Sequence, residues 1–114
     1  MAFNELELKR IDKLIGEYCR NRVPPEYRNQ LRYDIRIEGH SVFLFEYRPR
    51  WDNPDEWLAL EVAKLRYFRS QNIWRLYWKR ASGKWEFYEP KGEARDLKVL
   101  VDAIKQDQFG CFFG

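Results

Sequence analysis

With 114 residues, of which 45% are hydrophobic and 18% aromatic, the chain is too short for two cores and too apolar for disorder, and a single domain over residues 1–114 is expected. Its 21 Lys and Arg against 18 Asp and Glu leave a net charge of +3, spread along the whole chain, which permits an anionic partner without calling for one. With no Thr and only three Ser, a hydroxyl nucleophile is excluded as a working idea, and no apolar run approaches the roughly 18 residues of a membrane span.

The opening residues carry helix-start signals. Asn4 is placed as N-cap, Glu7 as its capping-box partner and Phe3 as a staple onto Leu8. Leu8, Ile11, Ile15, Tyr18 and Cys19 then share one stripe, with Lys9, Asp12, Lys13, Glu17 and Arg20 opposite, so an amphipathic helix is predicted to end before Pro24-Pro25. This acidic beginning does not resemble a signal peptide, and a cytoplasmic protein is the expectation. Cys19 and Cys111 form no C-x-x-C pair and read as buried reduced thiols.

From Leu31 the period changes to two. Gly39-His40 makes a tight turn that pairs Glu38 with Ser41, Ile37 with Val42, Ile35 with Leu44 and Tyr33 with Glu46. The other face of this hairpin then sets Arg36 against Phe43, Asp34 against Phe45 and Arg32 against Tyr47. Arg50 to Asp55 is a turn-rich loop around Trp51. Trp57 to Phe68 is read as a third strand with apolar side chains at both parities, hence covered on both sides, with a helix as the alternative.

Asn72 to Pro90 holds two aromatic-rich runs about Ser82-Gly83. A tight two-residue loop is expected there, because that register gathers Trp74, Leu76, Trp78, Trp85 and Phe87 on one face; a Gly83 bulge would split them. Ala94 to Asp107 follows as a second amphipathic helix, and an apolar Phe109 to Gly114 segment is expected to pack back on the domain or into a partner. The predicted class is α+β: a five-stranded antiparallel meander with an N-terminal and a C-terminal helix packed on one face.

Several stretches carry a family resemblance. The opening Met-Ala-Phe-x-Glu-x-Glu-Leu-Lys, Pro24-Pro25, Ile-Glu-Gly-His-Ser-Val-x-Leu-Phe-Glu-x-Arg-Pro, Trp51-Asp52-Asn53-Pro54, Trp-Lys-Arg-Ala-x-x-Lys-Trp and the ending Cys-Phe-Phe-Gly resemble a family of small bacterial proteins classed only as a domain of unknown function. The likeness covers nearly the whole chain and implies a bacterial origin akin to the products of mobile gene cassettes. It implies no activity, cofactor or catalytic residue.

Two helices cannot cover both sides of the sheet, and the second side is not polar. Arg32, Arg36, Phe43, Phe45, Tyr47, Arg48 and Trp51 form the best candidate partner face. Rings interleaved with Arg suit either a protein interface or stacking of unpaired bases. A homodimer is favoured, another protein being an alternative, because Asp34 and Glu38 on the same hairpin would repel phosphates. Burial of that face by loops and the tail stands beside both.

Glu46, Lys64 and Tyr67 form a candidate polar pocket, in which Glu46 needs a partner such as Arg48, Lys64 or a tyrosine hydroxyl. Glu61 and Lys64 faintly suggest a metal-dependent nuclease, but three residues apart on a regular strand they should point to opposite faces. His40, the one histidine, is read as a surface turn residue. A non-enzymatic binding or assembly module without metal or cofactor is the expected function.

Overall fold

Asn4 begins the first helix as its side chain and that of Glu7 each cap the other's backbone N–H, at 2.8 and 2.9 Å, in the computed structural model, which describes residues 2–114. Helix α1 covers Glu5–Ile11, a π turn covers Asp12–Gly16, and α2 continues over Glu17–Asn21. The wider turn has a packing consequence. Ile11, Ile15 and Cys19 recur every four residues, a spacing that drifts around an ordinary 3.6-residue helix, and the π turn keeps all three in line on the core. Burial pushes the Cys19 thiol up to about 12, which leaves it protonated and unreactive, and pushes the Cys111 thiol upward too.

The strands are β1 (Arg32–Glu38), β2 (Ser41–Pro49), β3 (Trp57–Phe68), β4 (Ile73–Lys79), β5 (Trp85–Phe87) and β6 (Glu93–Ala94), and α3 covers Leu97–Gln106. They form one antiparallel sheet with β1 to β5 in meander order. The two-residue β6, which the sequence reading did not include, pairs with β4. The domain is α+β, and the helices and sheet meet in one core around Ile15, Leu44, Leu65, Leu76, Leu100 and Ile104.

The β1–β2 register is the predicted one, from Glu38–Ser41 out to Arg32–Tyr47. Two other features correct the sequence reading. The β4–β5 connection is a three-residue loop: Arg80 N–H donates to Lys84 O at 2.9 Å, Gly83 N–H donates to Arg80 O at 2.8 Å, and Gly83 takes φ +87. Trp85 and Phe87 therefore lie away from the helices, where Phe43 and Tyr77 receive them at ring separations of 6.0 Å. The apolar set did not need gathering on one face, because both faces offer aromatic neighbours.

In β3, Ala63 faces Leu44 while Glu61 faces Phe45, so Val62 is an extra, bulged residue. Glu61 and Lys64 consequently share a face, contrary to the expectation for a regular strand.

The tail closes the helix side. Phe112 packs on Tyr88 with ring centroids 5.0 Å apart, and Phe113 meets Tyr33 edge-on at 5.5 Å beneath the Arg22 guanidinium, 3.6 Å from its ring centre. Asp107 takes the left-handed conformation that ends α3, and its carboxylate accepts the Phe112 and Phe113 N–H groups at 3.0 and 2.7 Å.

Surface carboxylates tie the elements together. The Arg69 guanidinium holds the Glu7 carboxyl below its ordinary value, Arg20 does the same for Asp12, and the Lys98 N–H together with Arg10 does so for Asp96. A carboxyl whose pKa is lower folded than unfolded stabilises the fold above its unfolded value, and that contribution is lost as pH falls through the folded one. The urea midpoint is accordingly expected to hold steady from pH 7 to about 5 and to fall below about pH 4. Replacing Glu7 by Gln should flatten part of that decline.

Candidate functional site

The face of the sheet turned away from the helices has regular cross-strand rows. Arg36, Phe43, Lys64, Tyr77 and Phe87 stand side by side across the five strands, and Asp34, Phe45 and Glu61 form the row beside them. Tyr47 and Ala59 pair beyond. The alternation of side chains on each strand puts these residues on one surface, and cross-strand neighbours at this spacing touch.

The rings here are not bare. Arg36 lies 4.8 Å from the centre of the Phe45 ring and Arg32 lies 4.6 Å from that of Trp57. Lys64 stands 5.6 Å from both Phe43 and Tyr77, and Lys79 stands 4.8 Å from Trp85. Arg66 and Arg75 cover Phe68 at 5.3 and 5.0 Å. Beneath this layer Phe43, Phe45 and Tyr47 follow one another at centroid separations of 6.4 and 5.9 Å. Side chains, not backbone, shelter Phe45, which is only 7% exposed. Each cation gains from the electron-rich ring face and covers apolar carbon with its own stem.

The charges sort into two groups. Every carboxylate on the face has a cation: Glu61 with Lys79 at 2.6 Å, Glu93 with Arg75 at 2.9 Å, Asp34 with Arg20 at 3.6 Å and Glu38 with Arg36 at 3.7 Å. Arg32, Lys64 and Arg66 rest on rings without a carboxylate partner among the described residues. The face therefore carries uncompensated positive charge. Beside it, along β1, a cleft of about 540 Å³ adds Arg20, Arg28, Tyr33 and Val23 to Arg32, Asp34, Tyr47 and Trp57, three guanidinium groups against one carboxylate.

Of the residues named from sequence, Arg32, Arg36, Phe43, Phe45 and Tyr47 lie together on this face. Arg48 does not. It pairs with Leu58 on the helix side, one residue out of step with Tyr47, and its guanidinium bonds the Glu46 carboxylate. Trp51 stands off the face at the tip of the β2–β3 arm, 93% exposed, in a loop held by Arg50 to Asp52 at 2.8 Å and to Glu56 at 3.1 Å. The tail does not cover the face, since Phe112 and Phe113 pack on the helix side.

Glu46, Lys64 and Tyr67 do not converge. Glu46 faces the helix side opposite Leu60, Lys64 belongs to the aromatic face opposite Phe43, and Tyr67 packs at a tilt against Trp74, with its hydroxyl donating to Asn72 at 2.6 Å. Strand alternation separates the first two, and Tyr67 sits at the far end of β3. His40 is exposed in its turn, its ring edge-on to Phe3 at 6.1 Å. Among the described residues no group of three or more His, Cys, Asp or Glu is disposed to hold a metal ion.

Sequence reasoning missed Trp57, Tyr77, Lys79, Trp85 and Phe87 as members of the face. The signal was Gly83: its bulged-loop register, the one set aside, sends Trp85 and Phe87 there.

A family model described as "Domain of unknown function (DUF3024)" matches residues 3–114, and the chain belongs to that family. Neither a curated protein nor a solved structure matches it.

Proposed function

We propose that this member of the family is a binding module that holds single-stranded nucleic acid on the helix-free face of its sheet. The observation that carries the reading is the layer of cations resting on rings, three of them without a carboxylate. Phosphates drawing Arg32, Lys64 and Arg66 outward would uncover Trp57, Phe43 and Tyr77 for bases to stack upon, Phe68 keeping its second cover, Arg75. Asp34 and Glu38, which on the bare sequence argue against a phosphate backbone, are each paired with an arginine. The arginine-lined cleft along β1 supplies a continuation of the path.

Self-association through this same face is the competing reading. It would press Lys64 and Arg66 of two copies toward one another while burying rings that the cations already cover. Phe45→Glu is therefore expected to leave the solution mass unchanged.

Anisotropy of a labelled oligonucleotide tests the proposal. Binding should weaken with salt, with a log–log slope of about −2 for three phosphates, and Lys64→Ala should reduce that slope by about 0.7. Duplex of the same length should bind more weakly. Absence of binding to single strands at low salt, or equal affinity for duplex, would end this reading.

A further inference from the structure

A second surface lies on β3, and it goes beyond the nucleic-acid reading. Residues 57–61 pair with β2 on one side only, since the β3–β4 ladder runs from Phe68 opposite Ile73 back no further than Ala63 opposite Trp78. No strand among the described residues meets their other edge. The direction of the backbone groups follows from the ladder. Tyr67 N–H donates to His40 O and Arg50 N–H donates to Glu56 O, so the even-numbered residues of β2 turn their peptide groups toward β3. Leu58 and Leu60 use theirs on Arg48 and Glu46, which leaves the N–H and C=O groups of Trp57, Ala59 and Glu61 pointing outward.

This edge lacks the usual protection. Trp57, Leu58 and Leu60 are 36, 47 and 50% exposed, and between Glu56 and Glu61 the sequence Trp-Leu-Ala-Leu contains neither a charge nor a proline. Open strand edges are normally blunted by one or the other, because an open ladder recruits another strand.

We propose that this edge pairs with the same edge of a second copy, antiparallel about a two-fold axis through Ala59. Three features of the segment identify a second copy as the occupant. Antiparallel pairing about Ala59 sets Leu58 against the other copy's Leu60 on the helix side, which covers four exposed leucines at once. It sets alanine against alanine at the axis, where the two small side chains leave the approach of the strands unobstructed. It also forms about six backbone hydrogen bonds from the outward groups.

The charges agree with that direction. Beyond Glu61 the edge leads to the β4–β5 loop, where Lys84 has no carboxylate partner among the described residues. The other copy's strand arrives there from its own loop, with Asp55 likewise lacking a cation partner among the described residues. Each copy thus brings an acidic loop to the other's basic turn.

Sedimentation equilibrium on the full chain, with site-directed crosslinking, tests this. The wild-type mass should be that of two chains, and Leu60→Lys should halve it without changing the circular dichroism spectrum. Asp55→Lys should weaken the dimer by about tenfold, and adding Lys84→Asp should restore it. Ala59→Cys should form a covalent dimer on mild oxidation, since hydrogen-bonded antiparallel neighbours stand about 5.5 Å apart between Cα atoms, within disulfide reach. A monomeric wild type, an Ala59→Cys protein that does not crosslink, or a dimer that survives Leu60→Lys but dissociates with Phe45→Glu would each overturn the proposal.

Discussion

Gly92→Ala is expected to cost the fold about 3 kcal/mol, at the upper end of ordinary overpacking, and to lower the melting temperature by roughly 10 °C. The backbone at Gly92 is not in the left-handed region, so conformational strain is not the cause. Space is. A methyl group there would meet the Tyr88 carbonyl oxygen and come within 2.6 Å of the Phe87 ring. Neither neighbour can yield cheaply: Tyr88 N–H donates to Leu76 O at 2.9 Å, and Gly92 O accepts from Leu76 N–H at 2.7 Å. Both bonds end on Leu76, which is wholly buried. Moving Gly92 outward thus unpicks β4 at the centre of the sheet. Thermal and urea unfolding check the expectation, and a wild-type midpoint for Gly92→Ala would mean that the β5–β6 connection moves freely.

Removal of residues 111–114 is expected to have an even larger effect, of about 4 kcal/mol, because it withdraws two packed phenylalanines at once. Phe112 fills the space over Tyr88 and is nearly buried, while Phe113 lies between Tyr18, Tyr33 and Arg22. Without them two aromatic positions of the core face water. The shortened protein should bind a hydrophobic dye in its native baseline and unfold at much lower urea. Phe112→Ala should account for about 3 kcal/mol by itself. If the truncated chain unfolds at the wild-type urea concentration, the tail is not part of the core.

The β1–β2 hairpin was legible residue by residue, since a strict alternation and a Gly39-His40 turn leave one register that buries Val42 and Leu44 together. The Asn4 capping box and the apolar side of α3 were equally plain, because both depend on neighbours in sequence. What escaped were the places where two registers compete at similar cost. About Gly83, either loop gives the rings somewhere to pack, and long-range contacts with Phe43 and Tyr77 decide. Within β3, apolar residues at both parities conceal the bulge, and the need of the Glu46 carboxylate for a counter-charge points to Lys64 as readily as to Arg48, although Lys64 belongs between Phe43 and Tyr77. The aromatic face was half visible for the same reason. Its β1 and β2 members follow from alternation, and its β3 to β5 members follow only once the bulge and the loop are known.

Val62 works as a phase change in the middle of a long ribbon. Ahead of it, leucine goes to one side and tryptophan to the other; a strand that ran through Val62 in regular alternation, with no bulge, would exchange them. The greasy edge would then carry its leucines among the ring-bound cations, and Trp57 would be carried away from Arg32. Which chemistry each side of the molecule displays is decided by the extra residue being taken up as a bulge. Deleting Val62 would straighten the strand and keep both surfaces, whereas deleting or inserting a residue between Trp57 and Glu61 would shift the residues before it onto the opposite faces.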